Sequence, residues 1–241
     1  MGWGAQDKVA LAFREVGTPG EVPVVLLHAL GSTAGTWDAF AARLAVQGRH
    51  VLALDLRGHG ESSWTEKYSL ESMSADVLGF LDSRGFEQAD LVGHSMGGRL
   101  AVLIAQRQTG RVRRLVVEDT PPPPEALREP AAPTQEPPTP LPFDWHLIDP
   151  IMTELRSPDT AWWARLEAIS APTLLVSGGP TSHVSPAALA RMSEAIPDCR
   201  LETIPDAGHR VHSVEPDAFW SVVAPFLQGH SLSHRPFDEG V

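Results

Sequence analysis

Ala89-Asp90-Leu91-Val92-Gly93-His94-Ser95-Met96-Gly97-Gly98 runs straight into Arg99-Leu100-Ala101-Val102-Leu103-Ile104-Ala105-Gln106-Arg107. The opening residues read as the end of a short buried strand and the closing ones as a helix. The joint between them has the form Gly-x-Ser-x-Gly. A serine on so tight a strand-to-helix turn has its hydroxyl thrust out of the sheet, and its small neighbours let the backbone turn without a Cβ clash. The helix start also leaves unpaired N–H groups aimed at whatever sits above Ser95. Three fixed positions recur by chance in glycine-rich turns without chemistry, so the strand before and the helix after carry the reading.

On either side the chain alternates in the same way. Residues 9–16 alternate as an early strand, and 22–28 form a continuous apolar run of the kind buried on both faces of a parallel sheet. Residues 36–47 have the pattern of an amphipathic helix, and 49–54 form another apolar strand, closed by Asp55-Leu56-Arg57-Gly58-His59-Gly60-Glu61-Ser62. Leu70, Met73, Val77, Leu78 and Leu81 share one side of a helix over 69–84. After the elbow, 112–117 is a strand ending in Glu118-Asp119, and further on come a strand at 173–176, a helix at 186–196 with proline in its first turn, a strand at 200–204 and a helix at 216–227. Strand–helix alternation of this kind predicts an α/β fold with a mostly parallel, doubly wound sheet.

One stretch breaks the pattern. Ten of the 22 prolines fall between Pro121 and Pro142. Proline fixes φ and lacks a donor, so this run is neither helix nor central strand. It is either a linker or an extended arm over a site, and residues 121–142 are expected to be extended and mobile. Two short helical stretches follow, at 143–155 and 159–169, carrying Trp145, Ile148, Ile151, Met152, Leu155, Trp162 and Trp163. Residues 120–165 are too few to hold a core of their own. The expectation is therefore a single domain over 1–241, with a core at about 9–119 and 166–227, a cap at about 120–165 and a frayed tail at 228–241. The tryptophans either glue the cap to the body or, for Trp145, Trp162 and Trp163, wall a substrate pocket.

Composition narrows the partners. Nineteen basic against 30 acidic residues give a net charge of -11, which argues against nucleic acid or an anionic membrane as partner. Cys199 is the single cysteine, so no intramolecular disulfide forms, which fits a reducing cytoplasm. Residues 1–8 lack the basic-then-apolar pattern of a signal peptide, and no apolar run reaches membrane-spanning length. The partner expected is a small-molecule substrate. No metal-ligand cluster and no dinucleotide fingerprint is legible, so no cofactor is expected.

Several pieces together resemble the α/β-hydrolase superfamily, over roughly residues 9–227 and in that family's order. His28-Ala29-Leu30-Gly31 resembles the loop that supplies an oxyanion donor, with His-Ala where the family usually has His-Gly. Asp55-Leu56-Arg57-Gly58-His59-Gly60 resembles its Asp-x-Arg-Gly-x-Gly turn, Gly93–Gly98 its nucleophile elbow, and Ala207-Gly208-His209 followed by Glu215-Pro216 its histidine loop. The insertion lies where the family carries its cap. The resemblance implies about eight strands, an acyl-serine mechanism and the N–H of Leu30 as an oxyanion donor.

The chemistry is arguable beside the resemblance. A serine hydroxyl needs a base to take its proton, and histidine titrates near the working pH. Among ten histidines, His209 follows a strand and a glycine at the edge of the sheet that carries the elbow, and His212 is its rival. His28 and His59 read as fasteners of loops, and His94 must point away from its neighbour Ser95. The Met96 N–H would meet the negative charge developing on an attacked carbonyl. The third member is where the chain departs from the family: the loop 178–186, which usually supplies the acid, holds no carboxylate. Some members carry the acid after the strand that follows the elbow helix, and Asp119 occupies that position. Glu118 faces the other way by strand alternation, and Asp206 is the weaker third candidate. Two functions follow. The first is a serine hydrolase cleaving a small ester, lactone or thioester. The second is a non-hydrolytic or carbon–carbon-acting use of the fold, or a binding pocket, which the absent carboxylate keeps open.

Overall fold

The computed structural model describes residues 9–20, 22–127 and 135–229. Seven strands form one sheet: β1 (Phe13–Val16), β2 (Val24–Leu27), β3 (Val51–Leu54), β4 (Ala89–His94), β5 (Val112–Glu118), β6 (Thr173–Ser177) and β7 (Cys199–Thr203), in the order β1-β3-β2-β4-β5-β6-β7. Only β1 is antiparallel to its neighbour. About eight strands were expected, and among the described residues there are seven.

The order explains where a site can form. From β2 the chain moves outward to β3, then returns past β2 to β4 and continues the other way. Loops leaving the carboxyl ends of β2 and β4 therefore part in opposite directions, and the crevice between them is the place where doubly wound sheets bind ligands. The loop after β2 begins at His28, and the elbow ends β4.

The helices are α1 (Asp38–Val46), α2 (Leu70–Ser83), α3 (Met96–Arg107), α4 (Ile148–Arg156), α5 (Thr160–Ala164), α6 (Pro186–Ala195), α7 (Val211–Val214) and α8 (Pro216–Leu227). Ser69 and Ser72 build a reciprocal capping box that fixes the start of α2. Strand residues alternate between two cores. Val25, Leu27, Leu91, Leu115 and Val117 meet α2 and α3, whereas Val24, Leu26, Val92, Val116 and Val176 meet Trp37, Phe40 and Phe219. At the amino end of β4 the fully buried Asp90 carboxylate takes Arg49 at 2.6 Å and Arg113 at 2.5 Å.

Short 3-10 turns precede α1 at Ala34–Trp37 and α4 at Trp145–Leu147, and follow α5 at Arg165–Ala168, so the two expected cap helices are shorter than read. The proline run is not a free arm where it is described. Its start is held by Arg99 on the Pro121 carbonyl, Trp163 on the Pro123 carbonyl and an Arg191–Glu125 ion pair. Its end is held by Gly60 N–H on the Pro142 carbonyl at 2.7 Å. Part of the expected mobile arm, 128–134, and most of the expected frayed tail lie outside the described residues.

Candidate active site

Ser95 sits at φ 53°, ψ -113°, a left-handed conformation that a non-glycine residue adopts at a cost of about 1–3 kcal/mol. Three hydrogen bonds hold it there. Its N–H donates to the Glu118 carbonyl at 3.0 Å, and its own carbonyl accepts from Arg99 N–H and the Thr120 hydroxyl, each at 3.1 Å. The elbow glycines are required by contact. A Cβ on Gly97 would stand 2.3 Å from the Leu27 carbonyl oxygen, and one on Gly93 would stand 2.4 Å from the Gly97 oxygen.

Asp119 and His209 meet. Asp119 follows β5 at φ 39° with its side chain fully buried, and its Oδ2 accepts from His209 Nδ1 at 2.7 Å. Its other oxygen accepts Gly178 N–H at 2.9 Å, and the Ser182 hydroxyl donates to Oδ2. The loop without a carboxylate thus supplies donors to an acid that comes from the neighbouring strand. A carboxylate oxygen accepts, so Nδ1 of His209 is the donor of this bond and Nε2 is the nitrogen left to face a substrate. Among the described residues, His209 Nε2 and the Ser95 hydroxyl make no direct hydrogen bond. In free enzymes such contacts are commonly long and tighten around substrate. The exposed His183 ring packs on His209 with centroids 4.2 Å apart.

The loop after β2 is fastened by two buried histidines. Leu56 N–H donates to His28 Nε2 at 3.0 Å and Gly31 N–H to His59 Nε2 at 3.1 Å, while each Nδ1 faces a carbonyl, of Ala29 and Arg57. Burial lowers both rings, His28 to about 3 and His59 to about 4, so each stays neutral and can accept. The N–H groups of Leu30 and Met96 are taken up by no acceptor among the described residues.

A second carboxylate–histidine pair lies beside the first. Glu118, fully buried, receives His212 Nδ1 at 2.8 Å and the His212 backbone N–H at 2.9 Å, and His212 Nε2 meets the Thr36 hydroxyl at 3.0 Å. Trp37 stacks on His212 at 4.1 Å. Both ring nitrogens of His212 are thus engaged, with Glu118 and Thr36. His94 turns its Nε2 to the His209 carbonyl at 2.7 Å, and burial lowers its pKa to about 4. Burial pushes the Glu118 carboxyl up, but His94 and His212 outweigh that and hold it below the usual carboxylate range. One ligand atom each of His94, Glu118 and His212 lies within 4.8 Å of the others, a grouping invisible along the chain.

The cap divides its aromatic residues. Trp162 is 0 % exposed, stands edge-on to Trp163 and carries the Arg99 guanidinium 4.9 Å from its ring. It offers no surface to a substrate, so the glue reading applies to it and the pocket-wall reading does not. Trp163 is half-buried, bonded to the proline run and covered by Arg191 at 4.3 Å. Trp145 stacks on Phe143 at 6.4 Å. Phe143 is the aromatic side chain that sequence reasoning passed over: it pairs with His59 across an isolated bridge, and its ring edge would lie 3.2 Å from a Cβ placed on Gly31. It is a cap residue that packs against the loop after β2, and its sequence signal was its place directly after the proline run.

Residues 22–136 match the family described as alpha/beta hydrolase fold. A diacylglycerol lipase of Mus musculus, the sn-1-specific ABHD11, is 30% identical over 85% of this chain and 80% of its own. The esterase YbfF of Escherichia coli K12 is 24% identical over 85% of this chain and 92% of its own. A crystal structure of a hydrolase from Pseudomonas aeruginosa superposes with a TM-score of 0.78 at 27% identity, covering 91% of this chain and 94% of that one. The chain belongs to the alpha/beta hydrolase fold family, and it is a hydrolase. Among the described residues no helix is long and apolar enough to cross a membrane.

Proposed function

We propose that the protein is a serine hydrolase of small carboxylic esters, lactones or thioesters, working through an acyl-serine intermediate with Ser95 as nucleophile, His209 as base and Asp119 as the orienting acid. The observation that carries this is the 2.7 Å contact between Asp119 Oδ2 and His209 Nδ1, because the missing strand-end carboxylate was the feature that kept a non-hydrolytic function open. His209 Nε2 takes the Ser95 proton as Oγ attacks the carbonyl carbon, and the new oxyanion is met by the N–H groups of Leu30 and Met96. The imidazolium, steadied by Asp119, gives its proton to the leaving alcohol or thiol. Water, deprotonated by the same ring, then attacks the acyl-serine and frees the acid and Ser95. Relatives named as a lipase and an esterase support ester substrates. Phe143, packed against the loop after β2, and Trp145 beside it are the cap side chains we assign to the acyl or leaving-group wall.

Turnover of p-nitrophenyl acetate, butyrate and octanoate by wild type and Ser95→Ala tests the reading. Saturable hydrolysis that is lost in the variant is expected. Hydrolysis by folded Ser95→Ala at the wild-type rate refutes it.

A further inference from the structure

The histidine loop is held by more than its acid. Asp206 at φ 62° and Gly208 at φ 63° bend it sharply, and β7 ends before it begins. Between Gly208 and His212 five hydrogen bonds reach back to three strand ends. Gly208 N–H donates to the Gly178 carbonyl at 3.0 Å, and His209 Nδ1 donates to Asp119 at 2.7 Å. The His209 carbonyl accepts from His94 Nε2 at 2.7 Å, and His212 donates twice to Glu118, from its backbone N–H at 2.9 Å and its ring at 2.8 Å. Glu118 ends β5 and Asp119 follows it at φ 39°, and the two consecutive carboxylates hold His212 and His209, three residues apart, at once.

A glutamate with 0 % exposure is costly to bury, and a well-packed apolar side chain in its place would avoid that cost. What the carboxylate adds is geometry. It accepts both His212 donors, which leaves His212 Nε2 to accept from Thr36 and locks that ring flat against Trp37. The turn after His209 is thereby fixed at His212, while His94 fixes the carbonyl of His209 itself.

We propose that Glu118 is a positioning residue for the reaction: with His212 and His94 it holds the backbone of the His209 turn so that Nε2 stays in line with Ser95. The inference rests on the assignment of Ser95 and His209 above. It requires the loss of Glu118 to act on the chemical step and not on substrate binding, and to act through the same element as Asp119.

The test is Glu118→Gln, Asp119→Asn and the double variant, assayed for kcat and KM on p-nitrophenyl butyrate and for thermal melting. A displacement of about 1 Å at a catalytic group costs up to ~100-fold in rate, so Glu118→Gln is expected to lower kcat by about 10- to 100-fold with KM within about twofold. The double variant is expected to fall no further than about threefold below Asp119→Asn, because a ring that already holds its proton on Nε2 no longer acts as base and loses little more by being displaced. A kcat within twofold of wild type, a loss carried by KM, or single losses that multiply in the double variant overturns the proposal. If Glu118→Gln does not fold, His94→Leu and His94→Gln replace it. Leucine removes the donor to the His209 carbonyl and should lower kcat at least tenfold, whereas the glutamine amide should restore most of it; equal rates in the two overturn the proposal. Ser95→Ala is assayed in parallel. Activity surviving there condemns the site assignment, whereas activity lost there and retained in Glu118→Gln condemns this inference alone.

Discussion

Replacing Asp119 by asparagine removes one charge and almost no volume. In the wild type the carboxylate accepts from three donors: Gly178 N–H, the Ser182 hydroxyl and His209 Nδ1. The asparagine carbonyl can keep Gly178, and the Ser182 hydroxyl can turn to accept from the new amide. The amide's remaining N–H then faces His209 Nδ1 and favours the tautomer whose proton sits on Nε2, where the Ser95 proton has to go. A ring with a protonated Nε2 cannot act as base. Holding the wrong tautomer and losing the charge opposite the imidazolium together cost ~10⁴-fold in kcat, or about 5.5 kcal/mol of barrier. The folded state loses one charge-assisted contact, about 1–3 kcal/mol, and at roughly 2–4 °C per kcal/mol the variant stays folded at 25 °C. Steady-state hydrolysis of p-nitrophenyl butyrate and a thermal melt read both. A folded Asp119→Asn with kcat within tenfold of wild type would refute the orienting role, since neither the tautomer nor the charge would then matter.

Three buried rings predict a loss of stability in acid. His28, at about 3, and His59 and His94, at about 4, are lowered mainly by burial, below the unfolded value of about 6.5. Below pH 6.5 the unfolded chain takes up protons that the folded one refuses, so stability from these groups is intact above about 6.5 and falls towards 4, by up to about 1.4 kcal/mol per pH unit for each ring. Urea titrations at pH 7.5, 6 and 5 read that slope, and equal stabilities would contradict it. Phe143→Ala should raise KM for butyrate and octanoate esters about tenfold, from a loss of roughly 1.5 kcal/mol of apolar contact, while leaving Tm within a few degrees. An unchanged KM would remove Phe143 from the pocket. Trp162→Ala, by contrast, should cost about 3–5 kcal/mol of stability because the ring is 0 % exposed; a Tm within 2 °C of wild type would contradict its role as cap glue.

What was legible along the chain was what local chemistry dictates. The elbow could be read because Gly93 and Gly97 answer contacts made a few residues away or against the adjacent β2, where no other residue fits. The parallel sheet could be read because strands buried on both faces are apolar throughout. The direction of Glu118 was available from parity: it continues the series of Val116, which faces Trp37 and Phe219 and therefore the turn that carries His212. Its actual partner was not available, because His212 lies 94 residues away and only the fold brings the two together. The same holds for Phe143, whose meeting with Gly31 and His59 depends on how a proline run of no periodicity closes over the sheet. Trp162 and Trp163 are adjacent and alike in sequence, yet one is sealed against Arg99 and Gln106 and the other lies half-exposed under Arg191. The turn of helix at Val211–Val214 was too short to register a period.

The central claim is that Ser95 forms a covalent bond to the acyl group. Intact-mass measurement after exposure to a fluorophosphonate, followed by peptide mapping, tests it most directly. Wild type should gain one phosphonyl group on the peptide that contains Ser95, with Ser95→Ala unlabelled and folded. Stoichiometric labelling of folded Ser95→Ala, or a label mapped to another residue of the wild type, would contradict the account.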